Sequence, residues 1–221
     1  MSAELFRTST RQGLLEGLRR ARMAIGRGQV VCVPTDTSFA LVADAFKPSA
    51  VAALREAKGM PEQAPVSVFV PGIPTLAALA ADVPEEVNTL AREFWPGALT
   101  LVVDAGESLA WDLGDNRGTV ALRMPANKIA LELLSETGPL AQSGAWKEGQ
   151  KPLVVASALA KRFSESVAVV LSAAGEKPGI ELSTVIDCTG LTRTLGKLRI
   201  VREGAIPSRD IFAVIPEERF A

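Results

Sequence analysis

The chain has 221 residues, of which 48% are hydrophobic and 22% are charged, and its formal net charge at pH 7 is −1. This composition excludes a disordered chain and predicts a sizeable core in one domain, or at most two small ones. A net charge so close to zero does not by itself indicate a nucleic-acid binder. The sequence shows no signal peptide and no long apolar span, so we expect a cytoplasmic protein without a membrane partner.

The hydrophobic pattern predicts helices and strands that alternate along most of the chain. A helix over 9–27 has Ser9 or Thr10 as its N-cap, and a second helix begins at Pro48 and ends at Gly59. The other predicted elements are strands 30–33, 39–42 and 66–70, helices 74–81 and 84–94, strands 99–103 and 119–123, helix 126–137, strand 140–143, helix 153–162, and strands 167–173, 183–189 and 197–202. This order predicts one α/β domain with a mixed sheet over residues 1–221.

Residues that can bind or transform a ligand recur at the ends of the predicted strands. Thr35-Asp36-Thr37-Ser38 follow the first buried strand, at the position where ligands of open α/β sheets tend to bind. The same four residues would also suit a polar turn that satisfies only its own backbone groups. Further hydroxyl groups and cations stand at similar boundaries: Thr100, Ser143, Ser183, Thr184, Lys58, Arg123 and Arg202.

Hydroxyl groups beside lysine and arginine suit an anionic ligand such as a nucleotide, and they suit phosphoryl or nucleotidyl transfer. The alternative is that Arg123 and Arg202 are surface charges at strand ends and that Ser183-Thr184 is a turn. The chain has no histidine, which excludes Ser-His-Asp and Cys-His catalytic groups and the common histidine-based metal sites. We therefore predict no resident metal site from the residues themselves.

Three further features have simple structural interpretations. Cys32 and Cys188 lie in apolar, strand-like segments and are predicted to be buried structural thiols. No GxxxxGK[ST] or GxGxxG loop is present, so the two familiar phosphate-binding loops are absent. Residues 1–28 contain six arginines, which predict a solvated helix face or, as the alternative, an RNA-binding patch.

Taken together and in order, several short segments resemble the YrdC/YwlC/TsaC family of threonylcarbamoyl-AMP synthases, over about residues 12–206. The segments are Pro34-Thr35-Asp36-Thr37, Lys58-Gly59, Phe94-Trp95-Pro96-Gly97-Ala98-Leu99-Thr100, Arg123-Met124-Pro125, Ser183-Thr184-Val185-Ile186-Asp187 and Arg202-Glu203-Gly204-Ala205-Ile206. The resemblance implies a single YrdC-like domain, an open twisted α/β sheet flanked by helices, with a concave, positively charged face. Larger members carry a second domain, which a chain of this length is not expected to contain.

The resemblance also implies an activity. Family members bind ATP and L-threonine with Mg²⁺ and bicarbonate, carbamoylate the threonine amine, adenylate the product and release pyrophosphate. The adenylate supports the threonylcarbamoyl modification of adenosine in certain tRNAs, and some relatives are described as binders of double-stranded RNA. ATP, Mg²⁺, L-threonine, bicarbonate and RNA are therefore the expected cofactors and partners.

Roles for particular residues follow from the resemblance in the same way. Thr35 and Thr37 would contact the threonine or carbamoyl group, and Thr100 and Arg123 would line the substrate pocket. Lys58 and Arg202 would face the phosphates as catalytic residues. The nucleotide would be held by Ser143, Ser183 and Thr184 together with those two cations.

The sequence departs from the family pattern where ligands are expected. The usual KxR loop with a lysine before proline has Met60 and Ala64 instead, the SxN signature has Ala145, and a usual histidine is Asn127. Losing both loop cations would weaken nucleotide binding by roughly 3–6 kcal/mol unless Lys147 or Lys151 compensates. Two hypotheses stay open: a synthase, or a diverged member that binds nucleotide or double-stranded RNA without synthase activity.

Overall fold

The computed structural model describes residues 3–107, 111–147, 149–172, 179–192 and 196–221. Its strands are β1 (Glu4–Phe6), β2 (Val31–Pro34), β3 (Phe39–Asp44), β4 (Ser67–Phe69), β5 (Leu99–Asp104), β6 (Thr119–Arg123), β7 (Leu140–Gly144), β8 (Val169–Leu171), β9 (Thr184–Asp187) and β10 (Arg199–Arg202). Its helices are α1 (Arg11–Gly26), α2 (Pro48–Lys58), α3 (Ile73–Leu79), α4 (Glu85–Phe94), α5 (Lys128–Thr137), α6 (Ala156–Arg162) and α7 (Ser208–Phe212). Short 3₁₀ turns follow at Thr189–Leu191 and Glu217–Arg219.

The ten strands form one mixed sheet in the order β1-β8-β2-β3-β7-β4-β6-β5-β9-β10. Parallel pairs such as β4–β6 and β5–β9 alternate with antiparallel pairs such as β2–β3 and β5–β6. The predicted mixed α/β architecture is confirmed. The sheet matters for function because strands distant in sequence, such as β3 and β10, contribute residues to one surface.

Two apolar layers lie on opposite sides of the central strands. Cys32 and Leu41 belong to one layer, whereas Val31, Val33 and Val42 belong to the other. This alternation follows from the two-residue period of a strand, and it explains why β2 reads as an unbroken apolar run. Helices pack on both layers, so the two central strands β2 and β3 are buried on both faces.

The helix ends follow the local signals in the sequence. The Thr10 hydroxyl accepts a hydrogen bond from the backbone N–H of Gly13 and caps α1. Gly59 ends α2 in the left-handed conformation, with φ of 73°. On α1, Arg19 pairs with Glu16 and Arg22 pairs with Glu136, which supports the interpretation of a solvated helix face.

Some elements differ from the sequence prediction. β1 and α7 were not predicted, because three and five residues are too few for a periodic pattern. The predicted strand 183–189 is shorter than expected, since its last residue begins a 3₁₀ turn. Residue 173, the last of the predicted strand 167–173, lies outside the described residues. Within the described ranges, no helix is both long enough and apolar enough to cross a membrane.

Candidate functional site

Most of the predicted site residues line one cavity on the concave face of the sheet. Its volume is about 220 Å³, and we call it the polar cavity. The predicted residues that line it are Thr35, Thr37, Lys58, Arg123, Ser143, Ser183 and Arg202. The structure thus brings together residues from the β2–β3 turn, the end of α2, β6, β7, the start of β9 and β10.

A second cavity of about 400 Å³ continues along the same face, and we call it the adjoining cavity. Thr100 lines it on β5, and the residues it shares with the polar cavity are Pro65, Val66, Ser67, Gln142, Ser183 and Arg202. Its far side is formed by residues of the loop that precedes β6. The two cavities therefore form one continuous surface on which Ser183 and Arg202 are central.

The Thr35 hydroxyl organises the turn between β2 and β3. It donates to the backbone carbonyl of Ser38 at 2.6 Å and accepts from the backbone N–H groups of Thr37 and Ser38 at 3.2 and 3.1 Å. The Thr35 hydroxyl thus satisfies backbone groups of its own turn, as the local interpretation expects, while its contact with a substrate stays a prediction. Its single hydrogen is used inside the turn, so Thr35 is not the donor in the 3.1 Å contact between the two threonine hydroxyls.

Thr37 is positioned by a buried arginine. Arg123 is only 4% exposed, and its Nη1 donates to the Thr37 hydroxyl at 2.9 Å while its Nε donates to the Gly97 carbonyl. Its Nη2 lies 2.8 Å from Asp36 Oδ2, in an ion pair that is not aligned as a hydrogen bond. Burial lowers the pKa of Arg123 and the Asp36 charge opposes this shift, so the guanidinium stays charged.

The consequence is a hydroxyl that can serve a ligand. The Thr37 oxygen already accepts from Arg123, so its hydrogen can be given either to Thr35 or to an acceptor in the cavity. A carboxylate or carbamate oxygen is the kind of acceptor that such a donor beside a cation prefers.

Lys58 reaches the polar cavity from the last turn of α2. Its Nζ donates to the Gly144 carbonyl at 2.7 Å and lies 4.3 Å from the centre of the Trp146 ring. The indole folds back over Gly144 so closely that a methyl group at residue 144 would overlap it. The ammonium group is thus held against the β7 end of the cavity by a carbonyl and an aromatic face.

Arg202 and Ser183 form the junction between the two cavities. Arg202 Nε donates to the Ser183 carbonyl at 3.0 Å and its Nη2 donates to the Ser183 hydroxyl at 3.1 Å. The Ser183 hydroxyl lies 2.9 Å from that of Thr100. Partial burial lowers the pKa of Arg202 from its ordinary value, but an arginine stays protonated. Two hydroxyl groups and a fixed cation therefore face the junction.

Thr184 does not line either cavity. Its side chain is fully buried, donates to the Ile206 carbonyl at 2.6 Å and accepts from the N–H groups of Gly204 and Ile206. Adjacent strand residues point to opposite faces, so Thr184 points away from the surface that Ser183 lines. These hydrogen bonds fix the chain after Arg202, and the predicted contact of Thr184 with a nucleotide stays a prediction.

The residues that depart from the family pattern have different surroundings. Ser143 donates to the Met60 sulfur at 3.7 Å, so a thioether stands beside the hydroxyl expected to hold a nucleotide. Asn127 caps α5 by accepting from the N–H groups of Ile129 and Ala130. Lys147 lines a different cleft, between α2 and the segment after α6. It therefore does not replace the missing loop cations in this conformation.

Sequence reasoning missed several residues of the site. Asp36 was quoted in the PTDT segment but given no role, although it is the counter-ion of Arg123. Gln142 and Ser67 pair through their side chains across β7 and β4 on the cavity floor. Trp146 also gave no signal, because a tryptophan in a polar loop does not by itself indicate a cavity.

The lining of the polar cavity carries three cations, Lys58, Arg123 and Arg202, and no acidic side chain among the described residues. Asp36 offsets the charge of Arg123 from behind. No group of three or more acidic, cysteine or histidine side chains within the described part of the chain could hold a metal ion. The arrangement suits an anionic ligand with polar edges, since charge-assisted hydrogen bonds are available from several directions.

Comparison with protein families matches residues 23–204 to the Sua5/YciO/YrdC family model, whose description reads "Telomere recombination". The chain belongs to the Sua5/YciO/YrdC family. The resemblance inferred from the short segments is therefore confirmed, and the match covers the polar cavity residues from Thr35 to Arg202.

Relatives and solved structures of this family agree with the fold. A Mycobacterium tuberculosis protein provisionally named threonylcarbamoyl-AMP synthase is 44% identical over 199 residues, which cover 90% of this chain and 89% of that protein. The threonylcarbamoyl-AMP synthase of Pyrococcus abyssi is 36% identical, and the match covers 91% of this chain but 58% of that protein. The chain thus spans little more than half the length of this relative.

Two solved structures of proteins similar to this chain have the same fold. Pyrococcus abyssi Sua5 complexed with L-threonine superposes with a TM-score of 0.86 at 32% identity, over 100% of this chain and 63% of that chain. Escherichia coli YciO superposes with a TM-score of 0.81 at 21% identity, over 96% of this chain and 100% of that chain, and at this identity it speaks for the fold alone. The predicted open α/β sheet flanked by helices is confirmed.

Proposed function

We propose that the protein is a nucleotidyltransferase of the threonylcarbamoyl-AMP synthase type. It would convert L-threonine, bicarbonate and ATP into threonylcarbamoyl-adenylate and pyrophosphate, a product that supports tRNA modification in the cytoplasm. The observation that carries the proposal is the convergence of Thr37, Arg123, Lys58, Ser183 and Arg202 on one continuous surface. The similarity to relatives with this name, and to a family structure that holds L-threonine, supports it.

The threonine half of the reaction would take place at Thr37 and Arg123. The amine nitrogen forms a bond to the carbon of bicarbonate, with loss of water, and gives a carbamate. The carboxylate or the new carbamate is an anion that can accept the Thr37 hydrogen beside the Arg123 charge. Positioning two reactants in this way supplies much of the rate enhancement and needs no covalent nucleophile.

The adenylation half would take place at the junction of the two cavities. A carbamate oxygen forms a bond to the α-phosphorus of ATP, and the bond from that phosphorus to pyrophosphate breaks. Lys58 and Arg202 both line the polar cavity and would stabilise the negative charge on the phosphates. The Ser183 and Thr100 hydroxyl groups would orient the nucleotide.

Magnesium would enter the site bound to the phosphates of the nucleotide. Mg²⁺ commonly binds through substrate phosphates and one or two carboxylates. The described lining of the polar cavity offers hydroxyl, amide and cationic groups, so the donor set fits an ion carried by the triphosphate and not a protein-held ion. When bound, the ion would neutralise phosphate charge.

A pyrophosphate-release assay with ATP, bicarbonate and L-threonine tests the proposal. We expect release that requires all three substrates. Met60→Arg places a cation beside Ser143, and we expect this variant to have a lower KM for ATP than the native protein. Met23→Arg is the matched control, because it makes the same change at an exposed position on α1. Robust release that does not depend on threonine would contradict the proposed substrate.

The alternative function is ligand binding without synthesis. It is favoured by the loss of the loop cations at Met60 and Ala64 and by the contacts that hold Lys58 against Gly144 and Trp146. If the native protein binds ATP but releases no pyrophosphate, and Met60→Arg gains release, this alternative is correct. For double-stranded RNA or tRNA, a filter-binding titration that shows no dependence of affinity on salt would exclude phosphate contacts.

A further inference from the structure

Arg55 is a buried arginine on α2 that lines neither cavity. It is 4% exposed, its Nε donates to the Ala64 carbonyl at 2.9 Å, and its Nη2 donates to the Asp112 carbonyl at 3.3 Å. The Asp112 carboxylate lies 3.7 Å from the same Nη2. A planar guanidinium can hold two carbonyl groups in a fixed relative geometry, which the single ammonium of a lysine cannot do.

The two carbonyl groups belong to two loops that are hydrogen-bonded to each other. The first loop, residues 61–66, lies between α2 and β4, and the second, residues 111–118, precedes β6. Val66 N–H donates to the Leu113 carbonyl at 3.0 Å, and Asp115 N–H donates to the Gln63 carbonyl at 2.8 Å. Gly114 has a φ of 92°, and a Cβ there would lie 2.6 Å from the Ala64 carbonyl oxygen. The loops therefore pack as one unit, which we call the double-loop wall.

The double-loop wall forms one side of the adjoining cavity. Its residues in that cavity are Pro65, Val66, Asp115, Asn116 and Arg117. Arg202 and Ser183 line the same cavity from the other strands. The position of the wall relative to these two residues sets the width of the space that a nucleotide would occupy.

We propose that Arg55 is a positioning residue for the nucleotide, and this inference rests on the proposed function. The first loop has Ala64 where the family usually has a lysine, and Arg55 donates to the backbone carbonyl of that same residue. Without the guanidinium, the Ala64 and Asp112 carbonyls lose their buried donor and the wall moves relative to Arg202. The hydrogen bonds described for Arg123 run to Gly97 and Thr37 and not to Arg55. Pro65 and Val66 of the wall line both cavities, whereas its second loop lines only the adjoining cavity, so we expect the threonine side to change less than the nucleotide side.

Steady-state kinetics of pyrophosphate release separate this role from a general loss of stability. For Arg55→Leu we expect the KM for ATP to rise about tenfold or more, with the KM for L-threonine within about twofold, because two hydrogen bonds that fix the wall are lost. Arg55→Lys should recover part of the ATP affinity, since it can keep one of the two carbonyl contacts. Val51→Ala, a truncation in the same helix away from the wall, is the matched control.

The result that overturns the proposal is an equal rise in both KM values, or a Val51→Ala variant that reproduces the effect of Arg55→Leu.

A second measurement keeps the role of Arg55 distinct from the proposed function. In the absence of any substrate, hydrogen exchange at the Val66 and Asp115 amides should be faster in Arg55→Leu than in Val51→Ala. If the native protein releases no pyrophosphate, the proposed function fails, and this exchange comparison still decides whether Arg55 holds the wall; equal exchange would refute it.

Discussion

Replacing Asp36 with asparagine tests the electrostatic basis of the site. Asp36 Oδ2 lies 2.8 Å from Arg123 Nη2, and the Arg123 side chain is 5% exposed. The amide can keep the oxygen that accepts from the Ala126 N–H, so its NH₂ group replaces the carboxylate oxygen that faces Arg123, and the change removes both the charge and this acceptor. Breaking a buried ion pair costs about 3–5 kcal/mol. Because the Asp36 side chain is 20% exposed and Arg123 keeps its bonds to Gly97 and Thr37, we expect about 2–3 kcal/mol of lost stability.

Urea unfolding of the native and variant proteins measures this loss, provided that the dependence on urea concentration is the same in both. Asp210→Asn is the matched control. Its partner Arg209 is 85% exposed, and removing such a surface pair should change the free energy of unfolding by less than about 0.5 kcal/mol. An Asp36→Asn variant as stable as Asp210→Asn would refute the conclusion that Arg123 depends on a buried counter-charge.

Three other predictions concern single side chains. Thr37→Val should raise the Kd for L-threonine by roughly 10- to 100-fold in calorimetry, and it should lower the free energy of unfolding by about 1–3 kcal/mol because the buried Arg123 Nη1 loses its acceptor. Thr35→Val should lower the free energy of unfolding by a similar amount, because backbone N–H groups of the turn lose their acceptor, with the Kd for L-threonine within about threefold; equal rises in Kd would contradict the separation of roles. Burial raises the pKa of Asp187, but hydrogen bonds from Thr189 and Arg199 outweigh it and hold that pKa below its usual range. The charged carboxylate therefore adds stability that is present above the unfolded pKa of about 4 and is lost as the pH falls through the lower folded pKa. In Asp187→Asn, the free energy of unfolding should therefore fall less steeply with decreasing pH over this range. Burial raises the pKa of the Cys32 and Cys188 thiols. Both cysteines should therefore resist a disulfide reagent at about pH 8 in the folded protein and react with it in urea. Rapid labelling of the folded protein would contradict their burial.

The sequence was most informative where the signal was local. The start of α1 at Thr10 and the end of α2 at Gly59 depend on caps that involve only neighbouring residues. β1 could not be found in this way, because three residues form a strand only by pairing with β8, more than 160 residues away in the chain. Its burial pattern shows no alternation of the kind that predicts a half-buried strand.

The candidate site likewise combines residues with a local sequence signal and residues that only long-range pairing brings together. Strand ends with hydroxyl groups and cations singled out Thr37, Arg123 and Arg202 as candidates, the family resemblance gave them roles, and the sheet brings them to one cavity. The alternation of side chains implies that only one of Ser183 and Thr184 can face that cavity, but which one depends on the register of β9 against β5. Pairings across the fold, such as Arg55 with two distant carbonyls, leave no periodic signal in the sequence and had to come from the structure.

Because Arg202 lies on β10, binding of an anion in the polar cavity is coupled to the pairing of this strand with the rest of the sheet. β10 has four residues, its pairing with β9 is irregular between Ile200 and Arg202, and it comes last in the sheet order. Such margins open at lower free energy than central strands. Because opening would carry Arg202 away from Ser183, an anion bound at both residues disfavours the opened form, and fraying of β10 in turn weakens binding. Measured affinity would then report the closed fraction of this last strand as well as the contacts inside the cavity.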